Sequence, residues 1–173
     1  MSRAGRIFRP EPMTTRTSPT ELTVTWQCCP FDELSAGELY AVMEARQRVF
    51  VVEQKCAYLD ADGADHLAHH LLGWRNTPEG LLLAAYARLF PPGVKYTEAS
   101  IGRVLTHPSA RGGGLGKALM EEAIQRIVDA RWGGPIRLAA QMYLEGFYEG
   151  FGFRRVTDPY LEDDIWHVDM LHD

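Results

Sequence analysis

Cysteine is scarce in this chain: 173 residues contain three, Cys28, Cys29 and Cys56, an odd number with two of them adjacent. That argues against a disulfide framework and for a reducing, cytoplasmic setting. Long apolar runs are missing too. None approaches the ~18 residues that a membrane-spanning helix needs, so no membrane partner is expected. A basic surplus is also absent: the net charge of −5 gives no support for nucleic acid as the main partner. No internal repeat is visible. What remains is an ordinary globular composition, 46% hydrophobic and 24% charged, in a chain long enough for one domain with a well-buried core.

Residues 1–20 stand apart. Arg3, Arg6, Arg9 and Arg16 face a single acid, Glu11, among Ser, Thr and three prolines. Such a segment cannot bury a core, and a flexible extension before a domain over 21–173 is expected. It also has the Arg-rich, acid-poor character of a transit peptide, but without an apolar face.

The stretch from Val104 to Lys117 organises the rest. Ser100 to Thr106 has β-branched residues and then stops at Pro108, which cannot donate to a sheet ladder. From Leu115 the apolar spacing becomes helical: Leu115, Ala118, Leu119, Ala123 and Ile127 share one face. Between strand and helix lie Arg111, Gly112, Gly113, Gly114 and Gly116. Glycine admits positive φ and close approach of a ligand to the backbone. The unpartnered N–H groups and dipole of the following helix favour an anion, with Arg111 and Lys117 adding charge.

Two phosphate motifs are excluded. A Walker A loop needs glycine six residues before its lysine and Ser or Thr after it; those positions hold Arg111 and Ala118. The G-x-G-x-x-G pattern fails at Lys117 or at Leu119, depending on where it starts. The pattern present, Arg-x-x-Gly-x-Gly at Arg111, Gly114 and Gly116, resembles the pyrophosphate-binding motif of the GNAT acyl-CoA N-acyltransferases.

In chain order, Leu22 to Gln27 alternates as a short strand. Ser35 with Glu38 forms a capping box for a helix whose buried face runs through Leu39, Val42, Met43, Val49 and Phe50. Arg46 interrupts that face, either reaching solvent or sitting in a cleft. Tyr58 to Asp65 is an acidic turn, read as solvated, because an EF-hand counted from Asp60 would place Leu71 where a glutamate is required. His66 to Trp74 and Leu81 to Phe90 form a hairpin about residues 76–80. Its histidines 66, 69 and 70 do not make a metal set, since a strand sends 69 and 70 to opposite faces. Gly133-Gly134-Pro135 ends the long helix. Then come a strand over 136–140, a short helix over 144–151 and strands over 153–156 and 166–171. The order describes a mixed α/β fold, a central mixed sheet with helices on its faces.

A second resemblance lies in residues 141–153. In the GNAT family a tyrosine four residues before a Gly-Phe pair adjoins the thioester sulfur. Tyr148 precedes Gly152-Phe153 in this way, which implies that it protonates the departing thiolate. Packing among Phe147, Phe151 and Phe153 is the competing role. Gln141 stands where many relatives carry an asparagine that orients the cofactor. Many relatives also have a glutamate as base four residues before the Val104 position. Ser100 is there instead and Glu98 is two residues off, so Glu98, His70, Glu53 and His167 all stay open as base.

The segments Arg46-x-x-Val49-Phe50-Val51-Val52-Glu53-Gln54, Tyr58-x-Asp60-x-Asp62-Gly63, His70-Leu71-Leu72-Gly73-Trp74, Ala85-Tyr86-Ala87-Arg88 and Ile101-Gly102-Arg103-Val104 together look like the ElaA branch of this superfamily. The resemblance implies the GNAT fold, acetyl-CoA as co-substrate without a metal, and a small-molecule or peptide amine as acceptor. Backbone at Val104, Leu105 and Thr106 would align the pantetheine arm. Arg88, Arg103, His70 and Glu53 are candidate substrate contacts, although Arg88 and Arg103 have Glu53, Glu98 or the 60–65 aspartates as alternative partners. A homodimer stays open. So do two other functions, a non-catalytic acyl-CoA sensor and a transferase using a charged RNA donor, the latter disfavoured by the acidity.

Overall fold

The computed structural model describes residues 23–173; the expected N-terminal extension and the start of the first strand at Leu22 lie outside them. Strand β1 (Val24–Pro30) leads into helix α1 (Ala36–Arg46), which the Ser35–Glu38 capping box opens. Strands β2 (His69–Thr77), β3 (Gly80–Phe90) and β4 (Ala99–Thr106) follow, then helix α2 (Leu115–Asp129) and strand β5 (Ile136–Gln141). Helix α3 (Glu145–Glu149) and strands β6 (Arg154–Arg155), β7 (Tyr160–Glu162) and β8 (Ile165–His172) complete the chain. The sheet order is β1-β2-β3-β4-β5-β8-β6, with β7 also paired to β8. All pairings are antiparallel except β4–β5. This is the expected mixed sheet. No described helix is long and apolar enough to cross a membrane.

The centre of the sheet is buried on both faces, which explains why β3 reads as the nearly unbroken apolar run Leu-Leu-Leu-Ala-Ala-Tyr-Ala. One face packs Ala85, Ala87 and Leu89 beneath Leu115, Leu119, Ala123 and Ile127 of α2, and Tyr148 and Phe153 belong to the same core. The other face packs Leu72, Tyr86 and Leu105 against Val42, Ala45 and Val49. Gly73 stands where an added Cβ would lie 2.5 Å from the Trp26 ring and 3.1 Å from Ala85 Cβ, so only glycine fits at that irregularity of β2.

Four expectations change. The helix expected through Phe50 ends at Arg46 and passes into a π-helical turn over Gln47–Glu53, closed by Gln54 N–H donating to Val49 O. Wide turns of this kind are frequent at functional sites. β1 continues past Gln27 to Pro30, because Cys28 and Cys29 pair with Leu71 and His70. His66 lies in a 3-10 turn (Asp65–Leu67) and not in β2. β7, absent from the sequence reading, is a three-residue strand too short to carry a periodic signal.

Candidate active site

The parallel pair β4–β5 makes only two register contacts, Ala99 with Ile136 and Ser100 with Arg137. Beyond them the strands part. From Ile101 onward β4 bonds to β3 alone, while β5 turns its other edge to β8. β4 also carries a bulge, since its register against β3 slips by one between Leu105 and Gly102, and Arg103 takes φ +50° there. The opening between the strands is a cavity of about 600 Å³, a size suited to a cofactor-length ligand. Its walls are Ser100 to Thr106 on one side and Leu138, Ala139, Gln141 and Tyr148 on the other. The π-helical turn contributes Val49, Phe50, Glu53 and Gln54. Ser100, 1% exposed at the fork itself, has a hydroxyl with no partner among the described residues.

Thr106 and Arg111 line this cavity, and the glycine turn follows Arg111 directly. Gly112, Gly113 and Gly114 take φ of +86°, +60° and +81° in succession, and a Cβ on any of them would meet no protein atom within 4 Å. Their requirement is thus conformational, and the space above them is open. α2 starts on Gly114 without a side-chain cap; the Leu115 N–H donates to Gly112 O at 3.4 Å, and the remaining first-turn N–H groups carry the positive end of the helix dipole. Arg111 is held at the turn by a two-pronged pair with Glu53 (2.8 and 2.9 Å) and by its Nε donating to Thr106 O. Lys117 is exposed and lies 3.7 Å from Glu121. The residues present fit a bound pyrophosphate: an uncapped helix, a bare concave backbone and two cations.

Tyr148 stands on the opposite wall, 6% exposed, its ring edge-on to Phe147 and Phe153. The residue belongs to the core and also lines the cavity. Burial, with a smaller contribution from Tyr143, pushes its pKa up to about 12. Gln141 donates to Gln54 Oε1 at 3.2 Å and accepts from the Tyr143 hydroxyl, so it ties β5 to the π-helical turn across the cavity.

Several expected site residues lie elsewhere. Glu98 is outside the cavity, chelating Arg137 at 2.9 and 3.2 Å; that guanidinium holds its carboxyl below the usual range. His70 is fully buried with both ring nitrogens engaged, Nδ1 with the Tyr86 hydroxyl at 2.7 Å and Nε2 with Asp65 O at 3.0 Å. Arg88 is buried and bonded to Asp62 and Asp65. Glu53 does line the cavity, but as the partner of Arg111. Arg103 lines it as well, its Nε bonded to Asp60 at 2.7 Å.

The acidic turn is therefore not a solvated one. Its three aspartates serve three arginines from three separate elements. Arg46, 0% exposed, donates Nε to Asp60 Oδ2 at 2.7 Å, Nη2 to Asp60 O at 2.7 Å and Nη1 to Asp65. Arg46 thus neither reaches solvent nor lines the cavity. Among the described residues no group of three His, Cys, Asp or Glu is disposed to hold a metal ion. The network fastens the 58–65 segment over the cavity, where Tyr58, Leu59 and Asp62 form part of the wall. The Arg88 guanidinium holds the Asp62 carboxyl well below the usual carboxylate range. A depressed native pKa adds stability that is complete above the unfolded value and fades as pH falls below it. Acid titration of Asp62→Asn beside wild type, followed by urea unfolding, is expected to show the stability gap closing below about pH 4. An unchanged gap at pH 3 would contradict this.

Sequence reasoning did not single out Tyr96 and Lys95 ahead of β4, or Asp163 in the β7–β8 turn, all of which line the cavity. Their only local signal is position before a strand or in a turn, and that signal is common.

Known proteins share this arrangement. The family model for the acetyltransferase (GNAT) domain matches residues 81–172. Protein ElaA of Escherichia coli strain K12 is 38% identical over 152 residues, spanning 87% of this chain and 97% of ElaA. A UPF0039 protein of Synechocystis is 39% identical over 150 residues, 87% of this chain and 96% of that one. Among solved structures, an acyl-CoA N-acyltransferase from Pseudomonas aeruginosa matches with a TM-score of 0.81 at 41% identity, covering 87% of this chain and 100% of that chain. The crystal structure of Escherichia coli ElaA matches with a TM-score of 0.78 at 37% identity, over 87% and 100%. A glycine turn opening α2, a sheet that forks beside it and near-full-length relatives of this kind lead to one conclusion: the chain belongs to the GNAT family of acyl-CoA N-acyltransferases, in the group that includes ElaA.

Proposed function

We propose that this protein transfers an acetyl group from acetyl-CoA to the primary amine of a small molecule or peptide, by direct attack and in the cytoplasm. The observation that carries the reading is one cavity lined by a strand edge without a neighbour, by the buried Tyr148 and by Arg111, the residue that leads directly into the glycine turn and the uncapped start of α2. Gly112 to Lys117 and Arg111 would receive the pyrophosphate. The free edge of β4 at Val104, Leu105 and Thr106 offers backbone partners to the pantetheine amides, as a further strand would. Gln141 orients the arm from β5. The amine forms the new C–N bond, a backbone N–H near Val104 steadies the oxyanion, and Tyr148 gives its proton to the sulfur as the C–S bond breaks. Most of the acceleration comes from alignment, because a free amine and a thioester react readily once placed together. The three cysteines are free thiols, in keeping with a cytoplasmic site of action.

Acetyl-CoA binding measured by calorimetry tests the cofactor assignment. Gly114→Glu places a carboxylate where the pyrophosphate would lie, and a side chain at φ +81° costs about 1 kcal/mol of fold stability. Binding is expected to weaken by at least about 100-fold while the variant stays folded, from charge repulsion and lost access together. Equal affinity in the two proteins would remove the glycine turn from the site.

A further inference from the structure

The transfer reaction needs a group that takes the proton released when the attacking nitrogen becomes an amide. Four side chains are open to that role on sequence grounds, and their surroundings separate them. Glu98 is outside the cavity and committed to Arg137. His70 has no ring nitrogen to spare. Glu53 has both oxygens on Arg111. His167 differs from all three. It lines the cavity, and its Nδ1 lies 2.9 Å from the carbonyl of Ile165. A carbonyl oxygen only accepts, so that contact places the ring proton on Nδ1. The lone pair of the neutral imidazole is then on Nε2, the atom a base requires.

We infer that His167 is the general base of the reaction, accepting a proton from the attacking amine at Nε2 while Ile165 O fixes its tautomer. The inference rests on the transferase reading above. Three further observations support it. His167 is the register partner of Gln141, which places it on the wall that also carries Tyr148. Its ring stacks on Tyr160 of β7 (centroids 6.0 Å apart, planes at 22°), and the Tyr160 hydroxyl donates to Asp169 at 2.7 Å. The ring therefore has its plane held by a neighbour that is itself anchored. Finally, none of the described salt bridges involves His167. Among ionisable groups, Tyr160 stacks on the ring and is bonded to Asp169, while Lys95, Tyr96, Glu162, Asp163, Tyr143 and Tyr148 line the same cavity.

Protons balance across the step. The nitrogen loses one to His167 Nε2, the sulfur gains one from Tyr148, and exchange with water restores both side chains. An amine and a thioester thus become an amide and a thiol with no other reactant. The acid and the base come from α3 and β8, so neither has to serve both roles.

The test uses the full chain, with coenzyme A release from acetyl-CoA as the readout. The probes are a panel of amino-acid amides, aliphatic diamines and arylamines. His167→Asn keeps a side-chain N–H that can donate to Ile165 O but offers no base; His167→Ala removes both. On the best amine, both variants are expected to lose at least about 100-fold in kcat/KM at pH 7, with acetyl-CoA affinity within about twofold of wild type. Added imidazole is expected to restore part of the Ala variant's rate. Long-range nitrogen–proton NMR of histidine-labelled protein is expected to show the Nδ1–H tautomer at His167. A variant that keeps its rate overturns the assignment, and so does a proton on Nε2. Wild-type protein that binds acetyl-CoA yet releases no coenzyme A with any amine defeats the transferase reading, and the base assignment with it. That failure is distinct from the others, because in those cases the wild type turns over.

Discussion

Replacing Tyr148 with phenylalanine is expected to lower kcat by roughly 10²-fold or more while leaving acetyl-CoA affinity and fold stability close to wild type. The ring supplies the packing, edge-on to Phe147 and Phe153, and phenylalanine keeps it. What leaves is one hydroxyl from a residue that lines the cavity. Burial holds its pKa up to about 12, so it carries its proton at any pH at which the protein would work. General acid catalysis by a placed side chain is worth about 10²–10⁴-fold, and a thiolate is a better leaving group than most, which favours the lower part of that range. Steady-state kinetics beside calorimetry separates the two parts of the expectation. A fall in kcat with constant binding supports proton donation. Unaltered kcat would reduce Tyr148 to a core residue, and a loss of stability would show that its hydroxyl has a structural partner.

The second large effect concerns folding. Arg46→Ala is expected to destabilise the protein by about 3–5 kcal/mol, the typical cost of removing one partner from a buried ion pair. The Arg46 and Asp60 side chains are 0% and 2% exposed. Without the guanidinium, the Asp60 carboxylate remains inside with Arg103 as its one cation beside the Tyr58 hydroxyl, and Asp65 keeps Arg88. In a domain of this size the loss amounts to a melting temperature lower by roughly 10 °C. Arg48→Ala, two residues on, is the control. Its pair with Glu44 is half exposed and one helical turn away, so about 0.5 kcal/mol or less is expected. Urea unfolding of the two variants measures the contrast directly, and similar losses in both would mean that the buried network carries no special weight.

The parts of this protein that could be read from its sequence are those encoded locally. The strand, glycines and apolar stripe of residues 100–127 specify a strand–turn–helix unit without reference to anything distant, and β4 and α2 lie where expected. Ser35 and Glu38, three residues apart, cap α1 as the spacing predicted. Tyr148 was reachable because its Gly-Phe marker sits four residues away. What escaped was written across long separations. Arg46 meets Asp60 14 residues later, Arg88 meets Asp62 from 26 residues away and Arg103 meets Asp60 from 43. No window on the sequence can distinguish an aspartate turned to water from one reserved for a distant guanidinium. The position of Glu98 outside the cavity escaped for the same reason: its partner Arg137 comes from another strand, 39 residues on. The end of α1 escaped for a different reason. A π-helical turn keeps helical apolar spacing almost intact and changes only which carbonyl each N–H finds.

The fork between β4 and β5 has a mechanical consequence. Strands β1 to β4 form one plate and β5 to β8 another, and only two residue pairs stitch them together in the sheet. A crossing of two rungs is a seam, and a seam is where a sheet flexes at least cost. The plates hold their own shape by antiparallel ladders, so flexing between them would turn on Ala99 and Ser100, the narrow end of the wedge. A guest lying along the free edge of β4 would add rungs where the chain itself supplies none. In that sense the folded polypeptide is a sheet with one segment left out, and a molecule that filled the gap would also brace the two plates against each other.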